Sequence, residues 1–201
     1  PRSTSSAASD VYKRQRVLPQ DVIWNNDETG YYTIDENSIV LVSTIGKKDK
    51  KILSSEDVKN KKIESFSFSL DKKNVLIFTN SVRVWRYNTR GNYWVYNLKT
   101  KQGKRLGSTL PDRSLMFAKF SPNGEKIAYV SKEIIPNSFR NSSTRANIYL
   151  ETIDGNSIVK LTESDEKGKI INGTFDWVYE EEFSCRDGFL FNDNSDKIAF
   201  W

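Results

Sequence analysis

The chain alternates short apolar runs with tight polar turns along most of its length. Three segments share one order of residues, an aromatic residue followed by a polar turn and an apolar run: "FSLDKKNVLIF" (68–78), "FSPNGEKIAYV" (120–130) and "FNDNSDKIAFW" (191–201). The turn "SPNG" has proline second and glycine fourth, as a type I turn prefers. Each segment therefore predicts that a strand ends at the aromatic residue, the chain reverses, and a strand buried on both faces follows.

A second pattern falls between these segments. Residues 38–53, 92–107 and 147–162 each give a strand, a glycine-bearing polar turn and a return strand. Two hairpins in each unit make a four-stranded antiparallel meander, and repetition of such units is typical of a β-propeller. A sandwich could also be built from hairpins, but the regular alternation of the two patterns favours the propeller. We predict an all-β fold, a partial β-propeller of about three four-stranded antiparallel blades, within residues 22–201.

The spacing between the second and third aromatic-turn segments is longer than the spacing between the first and second, which predicts additional residues inserted there. One candidate is residues 132–145, which are polar and contain proline, so we expect a loop. The other is "DWVYEEEF" (176–183). Because residues 175–183 neither alternate nor contain turn residues, we predict a short inserted helix there. Neighbouring side chains on a helix point about 100° apart, so two adjacent glutamates can converge on one point.

A converging carboxylate pair is suited to one ammonium group, since each contact is a charge-assisted hydrogen bond. Taken alone, a run of three glutamates is most often a solvated helix face. The flanking Trp177, Tyr179 and Phe183 argue against that interpretation, because exposed runs rarely contain three aromatic residues.

Residues 81–96, "SVRVWRYNTRGNYWVY", contain the candidate cations. We interpret Arg83 and Arg90 as strand-edge arginines that extend their heads into water. Arg86 lies between two aromatic residues that would hold its guanidinium rigidly as a clamp for a carbonyl or a carboxylate.

Composition excludes several kinds of site. The 201 residues include no histidine, so neither a Ser-His-Asp nor a Cys-His catalytic system, nor a histidine-ligated zinc site, can be assembled from them. One cysteine, Cys185, excludes an intrachain disulfide. The net charge of +5 comes from lysines and arginines scattered through predicted turns, which argues against nucleic acid as a partner. We predict no cofactor and no metal.

Residues 1–19 show neither an apolar period nor the apolar core of a signal peptide, and we expect a disordered or non-native leader. Residues 20–201 would be a partial N-terminal propeller domain. No stretch approaches the roughly 18 apolar residues of a spanning helix.

The joint pattern of "VWRY", "KFSPNGEKIAYV", "DWVYEEEF" and "DKIAFW" resembles the N-terminal propeller of the dipeptidyl peptidase IV family of serine peptidases. The glutamate motif is close to a signature of that family. There are departures, since "FNDNSDKIAFW" lacks the usual Ser-Pro-Asn/Asp-Gly turn and residues 132–145 look like an added loop. These departures concern turn geometry and blade boundaries more than the anchoring residues.

The resemblance implies specific roles. Glu181 and Glu182 would bind the α-amino group of a peptide substrate, with Glu180 ranked behind them, and Arg86 would orient the carbonyl of the penultimate residue and pair with the glutamates. No catalytic residue is expected in this chain, because the serine, aspartate and histidine of such enzymes belong to an α/β-hydrolase domain after the propeller. The activity implied is release of N-terminal X-Pro or X-Ala dipeptides.

The implied partners are peptides with a free N-terminus, the chain's own hydrolase domain and a second copy in a homodimer, in an extracytoplasmic location. Two alternatives remain open. One is a non-catalytic propeller that serves as a binding scaffold, and the other is a related prolyl tripeptidyl peptidase or endopeptidase.

Overall fold

The computed structural model describes residues 22–27, 29–84, 87–134, 144–155, 157–165 and 170–201. The predicted leader, residues 1–19, lies outside them. The chain divides into two compact units, one ending at Ser54 and the other beginning at Ser55.

The first unit contains one antiparallel sheet with strands in sequence order. Its strands are β1 (Ile23–Trp24), β2 (Gly30–Asp35), β3 (Ser38–Ser43) and β4 (Lys50–Leu53). Asp35 pairs with Ser38, so Glu36 and Asn37 alone form the β2–β3 turn. Both have positive φ, as a type I′ hairpin requires.

The second unit begins with two further four-stranded antiparallel meanders. One consists of β5 (Ser65–Phe68), β6 (Asn74–Val84), β7 (Tyr87–Asn97) and β8 (Gly103–Arg105). The other consists of β9 (Leu115–Phe120), β10 (Lys126–Ile134), β11 (Thr144–Thr152) and β12 (Ile158–Lys160). We call these blades 2 and 3. The helix α1 (Trp177–Glu182) and the hairpin of β13 (Phe189–Phe191) and β14 (Ile198–Phe200) follow.

The predicted aromatic turns are confirmed in position. β5, β9 and β13 end at Phe68, Phe120 and Phe191, and the next strand follows after a short turn in each case. β6 and β10 are buried on both faces, as expected, at residues 75–79 and 127–131. In β14, however, Ala199 and Phe200 are exposed, because this strand belongs to a two-stranded sheet in the described part of the chain.

The prediction of a loop at residues 132–145 is wrong at both ends. β10 continues to Ile134 and β11 begins at Thr144, with Lys132 paired to Ala146. Strand pairing therefore extends into this polar segment, and its residues 135–143 lie outside the described residues.

Blade 3 has two buried faces, and alternation along β10 assigns residues to each. Ile127 and Tyr129 pack with blade 2 residues in a core that includes Leu76, Val95 and Leu106. Ala128 and Val130 face the other way and pack with Phe189 and Phe191 of β13. The second face of blade 3 therefore looks toward the segment that contains α1.

Candidate functional site

The segment with α1 is a loop closed at its base by backbone hydrogen bonds. Gly188 donates to the carbonyl of Gly173 (3.0 Å), Gly173 to Trp201 (2.9 Å), and Trp201 to Gly188 (2.8 Å). Thr174 and Asp187 form an antiparallel bridge beside them. A Cβ on Gly188 would lie 2.9 Å from the Gly173 carbonyl carbon, so this close approach depends on glycine. The two ends of the loop are thus fixed to each other.

The predicted helix is confirmed, and its start is set by Asp176. The Asp176 carboxylate accepts hydrogen bonds from the backbone N–H groups of Val178 (2.8 Å) and Tyr179 (3.1 Å), as an N-cap does. At the other end, the N–H groups of Phe183 and Cys185 both donate to the Tyr179 carbonyl. Helical geometry is therefore limited to the residues around the glutamate run.

An aromatic stripe holds one side of α1. Phe175, Tyr179 and Phe183 are four residues apart and therefore share a face, with successive ring centroids 5.6 Å apart. Trp201 packs against both Phe175 (5.7 Å) and Tyr179 (5.8 Å). At about 100° per residue, Glu181 lies on the side of α1 opposite Tyr179, whereas Glu182, three residues after Tyr179, lies beside the stripe.

The three glutamates differ in exposure. Glu180 and Glu181 are half-buried, whereas Glu182 is exposed. Burial raises the pKa of the Glu180 carboxyl above its ordinary value, with the positive charges of Lys132 and Arg186 opposing that rise and the negative charges of Glu181 and Asp176 adding to it. Burial is therefore the main influence on the Glu180 carboxyl, and two positive and two negative side chains act on it in opposite directions.

Two of the cations near Glu180 were missed by the sequence reasoning. Lys132 is half-buried on β10, and burial lowers the pKa of its ammonium, with Glu180 opposing the shift and Arg90 adding to it. Arg186 stacks its guanidinium on the Tyr87 ring, 3.4 Å from Cζ to the ring centroid. Lys132 continues the every-second-residue pattern of Ala128 and Val130 on a buried face of β10, and this pattern could have indicated the lysine. Nothing in the sequence around Arg186 indicated the arginine.

The predicted arginine Arg86 lies outside the described residues. Its chain neighbour Tyr87 is the residue on which Arg186 stacks, so the start of β7 lies beside a cation that acts on Glu180. Arg83 is exposed, as expected for a solvated arginine. Arg90 is half-buried, and its buried Nε has no hydrogen-bond partner among the described residues. Arg90 is therefore less solvated than a strand-edge interpretation implies.

Clustered metal ligands and membrane-spanning helices are both absent from the described part of the chain. No three His, Cys, Asp or Glu side chains group there as ligands for a metal ion. No helix described in the structure has the length and apolar character needed to cross a membrane.

Comparison with known proteins identifies the family of this chain. Residues 69–201 match the model of the dipeptidyl peptidase IV N-terminal region. The chain is 29% identical to dipeptidyl aminopeptidase B of Saccharomyces cerevisiae over 195 residues, which is 94% of this chain and 20% of that protein. It is 30% identical to human prolyl endopeptidase FAP over 159 residues, 79% of this chain and 19% of that protein. The chain thus spans about a fifth of the length of these curated relatives.

Among solved structures, the chain resembles Porphyromonas gingivalis dipeptidyl peptidase 4 with a TM-score of 0.73 and 21% identity. The match covers 97% of this chain and 26% of that protein. This likeness concerns the fold, and it confirms the prediction of a partial, unclosed β-propeller. The matched family region covers blade 2 from β6 onward, blade 3, α1 and the final hairpin, so the chain belongs to the dipeptidyl peptidase IV family and matches its N-terminal region.

Proposed function

We propose that this chain is the substrate-anchoring part of a serine exopeptidase that releases dipeptides from peptides with a free N-terminus. In this proposal Glu181 and Glu182 bind the α-ammonium of the substrate, and Arg86 orients the carbonyl of the penultimate residue. The observation that carries it is the tethered helix α1, which holds adjacent carboxylates on a loop that is closed at its base and packed on one side by aromatic rings.

The chemistry of the ligand fits this arrangement. A peptide α-amino group has a pKa near 8 and is mostly protonated at neutral pH. Charge-assisted hydrogen bonds to two carboxylates would fix its position. Fixing the ammonium at one point sets how many residues extend from it to the nucleophile. The site would therefore direct cleavage after the second residue and exclude substrates with a blocked N-terminus.

The reaction itself needs residues from elsewhere. The chain has no histidine, so we propose that serine, aspartate and histidine come from an α/β-hydrolase domain of the full-length protein. A G-x-S-x-G elbow followed in the gene by an aspartate and a histidine would support this assignment. A gene that encodes only further β-repeats would favour the scaffold alternative.

The first test replaces the anchor in the full-length protein. We expect Glu181→Gln or Glu182→Gln to lower kcat/KM on an X-Pro substrate by about two orders of magnitude or more, since breaking a buried charge pair costs about 2–5 kcal/mol. Steady-state kinetics on the wild type and each variant measure the effect. Glu163→Gln is the matched control, because Glu163 is 73% exposed and pairs with Lys160 on blade 3.

Near-normal turnover by both anchor variants would contradict the proposal.

The name of the human relative favours a second candidate, an endopeptidase that cuts after proline. An N-acetylated substrate separates the two, because an amine-anchored exopeptidase should not cleave it and an endopeptidase should. The extracytoplasmic location and the homodimer remain predictions, which fractionation and light scattering would test.

A further inference from the structure

The incoming end of the α1 loop rests on blade 3. A Cβ on Gly173 would lie 2.7 Å from Ile148 Cγ1 and 2.8 Å from Val130 Cγ2, so Gly173 lies directly on the apolar face of that blade. One residue earlier, the Asn172 N–H donates to the Ala146 carbonyl of β11 (3.1 Å). These contacts attach the start of the loop to one blade.

The outgoing end of the loop is attached to blade 3 as well. Lys119 of β9 places its Nζ 2.5 Å from Asp187 Oδ2 and donates to the Phe189 carbonyl (2.7 Å). The same ammonium lies 4.1 Å from the centre of the Phe189 ring. Attachment of both ends to one blade fixes where the loop begins and ends, but it does not by itself stop the loop from tilting about the line between them.

A further contact connects the loop to blade 2. The Arg186 guanidinium lies over the Tyr87 ring of β7, with 3.4 Å from Cζ to the ring centroid. This is van der Waals contact with the face of the ring, where a guanidinium is attracted by the negative charge of the π system. Tyr87 pairs with Val84 of β6, so its backbone belongs to the strand ladder of blade 2. Arg186 therefore holds the loop to a rigid part of the neighbouring blade.

Consecutive residues thus attach the loop to two strands of different blades. Asp187 is held by β9 of blade 3, and Arg186 by β7 of blade 2. The two strands are themselves paired at Gly91 and Leu115. Because the Arg186 contact is made to a different blade from the other attachments, it opposes tilting of the loop on blade 3.

We propose that Arg186 and Tyr87 are positioning residues, whose stacked contact holds the α1 loop so that Glu181 and Glu182 are in place before the substrate ammonium arrives. Arg186 follows Glu182 by four residues in the same loop, so movement at Arg186 is passed directly to the glutamates. Carboxylates fixed in advance bind an ammonium without the cost of ordering the loop at that moment. This inference rests on the proposed function of the site.

The first test is steady-state kinetics on an X-Pro substrate with the full-length protein. We expect Arg186→Met to raise KM about tenfold with kcat changed less than about threefold, because the glutamates are no longer held ready for the ammonium. A contact that only stabilised the fold would lower the active fraction, and hence kcat, and would leave KM unchanged. Lys61→Met is the matched control and should keep the wild-type KM, because Lys61 Nζ lies 4.2 Å from the centre of the Trp94 ring and neither residue belongs to the α1 loop.

The second test is a double-mutant cycle on the contact itself. Tyr87→Leu removes the ring and should raise KM as much as Arg186→Met does, and the variant with both substitutions should be no worse than either one. Tyr87→Phe keeps the face of the ring and should restore a KM close to that of the wild type. If Arg186→Met does not fold, Tyr87→Leu tests the same contact.

The third test asks whether the contact acts through the glutamates. In a Glu181→Gln background the ammonium is already poorly held, so adding Arg186→Met should lower kcat/KM by less than about threefold further. A further loss as large as the one in the wild-type background would mean that Arg186 acts elsewhere, and it would overturn the positioning role.

The outcomes separate the two proposals. An unchanged KM in Arg186→Met, or additive losses in the cycle with Tyr87→Leu, would overturn the positioning role while the proposed function stands. Glu181→Gln and Glu182→Gln are measured in the same assay. Normal kinetics in both glutamate variants would instead overturn the proposed function, and the inference with it.

Discussion

Two acidic regions of this molecule, around Glu151 and around Glu180–Glu182, use carboxylates in opposite ways. Glu151 on β11 is 3% exposed, and its oxygens accept from Lys104 Nζ (2.7 Å), the Tyr129 hydroxyl (3.0 Å) and the Gly107 N–H (2.9 Å). No residue of α1 is buried to that degree. A buried carboxylate that accepts three hydrogen bonds inside the fold holds the fold together, whereas one on a tethered, partly exposed helix can still bind a ligand.

The Glu151 network also connects two blades. Glu151 and Tyr129 belong to blade 3, and Lys104 belongs to β8 of blade 2. Burial raises the pKa of the Tyr129 phenol, and the negative charge of Glu151 adds to that increase, so the hydroxyl stays protonated and donates at any physiological pH. The comparison therefore separates a buried structural acid at a blade boundary from partly exposed acids on a loop.

The largest effect is expected from Glu151→Ala. Removal leaves Lys104, Tyr129 and Gly107 without their acceptor, and breaking a buried ion pair on one side costs about 3–5 kcal/mol. Hydrogen exchange of β8 and β11 amides in the full-length protein would show the lower free energy of opening. Glu163→Gln, on an exposed pair, should change it by less than about 0.5 kcal/mol. If the Glu151 variant is as stable as this control, Glu151 does not stabilise the fold, and the two acidic regions no longer differ in that respect.

A smaller effect is expected from Gly173→Ala, which disturbs the α1 loop without changing any charge. Gly173 has φ of 77°, and its new Cβ would press on Ile148 and Val130. We expect roughly 2–4 kcal/mol of local destabilisation from left-handed backbone strain together with overpacking.

Gly46→Ala provides the matched control for that substitution. Gly46 has φ of 76° and open space around the position of a Cβ, so only the backbone strain of roughly 1–2 kcal/mol applies. Hydrogen exchange near each glycine measures both variants. Equal losses at the two sites would mean that contact between the loop and blade 3 contributes little.

The smallest effect is expected from Asp176→Ala, which removes the N-cap of α1. Loss of the cap should cost about 1 kcal/mol of helix stability and speed exchange at the Val178 and Tyr179 amides. Asp176→Asn keeps an acceptor oxygen and should preserve protection. Unchanged exchange in the alanine variant would show that the aromatic stripe, and not the cap, holds the helix in place.

Features set by neighbouring residues were predictable from the sequence. The turns after Phe68 and Phe120 depend on local turn chemistry and on a fixed pattern of apolar residues, and both appear where expected. The helix at residues 177–182 was predictable for the same reason, since capping and the absence of alternation are local signals.

Features that depend on residues distant in the chain were not predictable from the sequence. Lys132 is separated from Glu180 by the rest of blade 3, and its polar surroundings in the chain suggested a loop, although strand pairing with Ala146 continues there. Arg186 becomes meaningful only through its contact with Tyr87, about a hundred residues earlier in the chain. Long-range pairing overrides local composition at both positions. The roles of Glu181, Glu182 and Arg86 remain predictions.

The pairing of Gly91 with Leu115 joins β7 of blade 2 to β9 of blade 3. Any side chain at position 91 would place its Cβ 2.4 Å from Phe78 Cε2, so glycine permits this contact between the two blades. Side-chain packing alone is not directional and would let neighbouring blades shift relative to each other. The shared strand pairing and the Glu151 network add hydrogen bonds to that packing, so we expect blades 2 and 3 to move together.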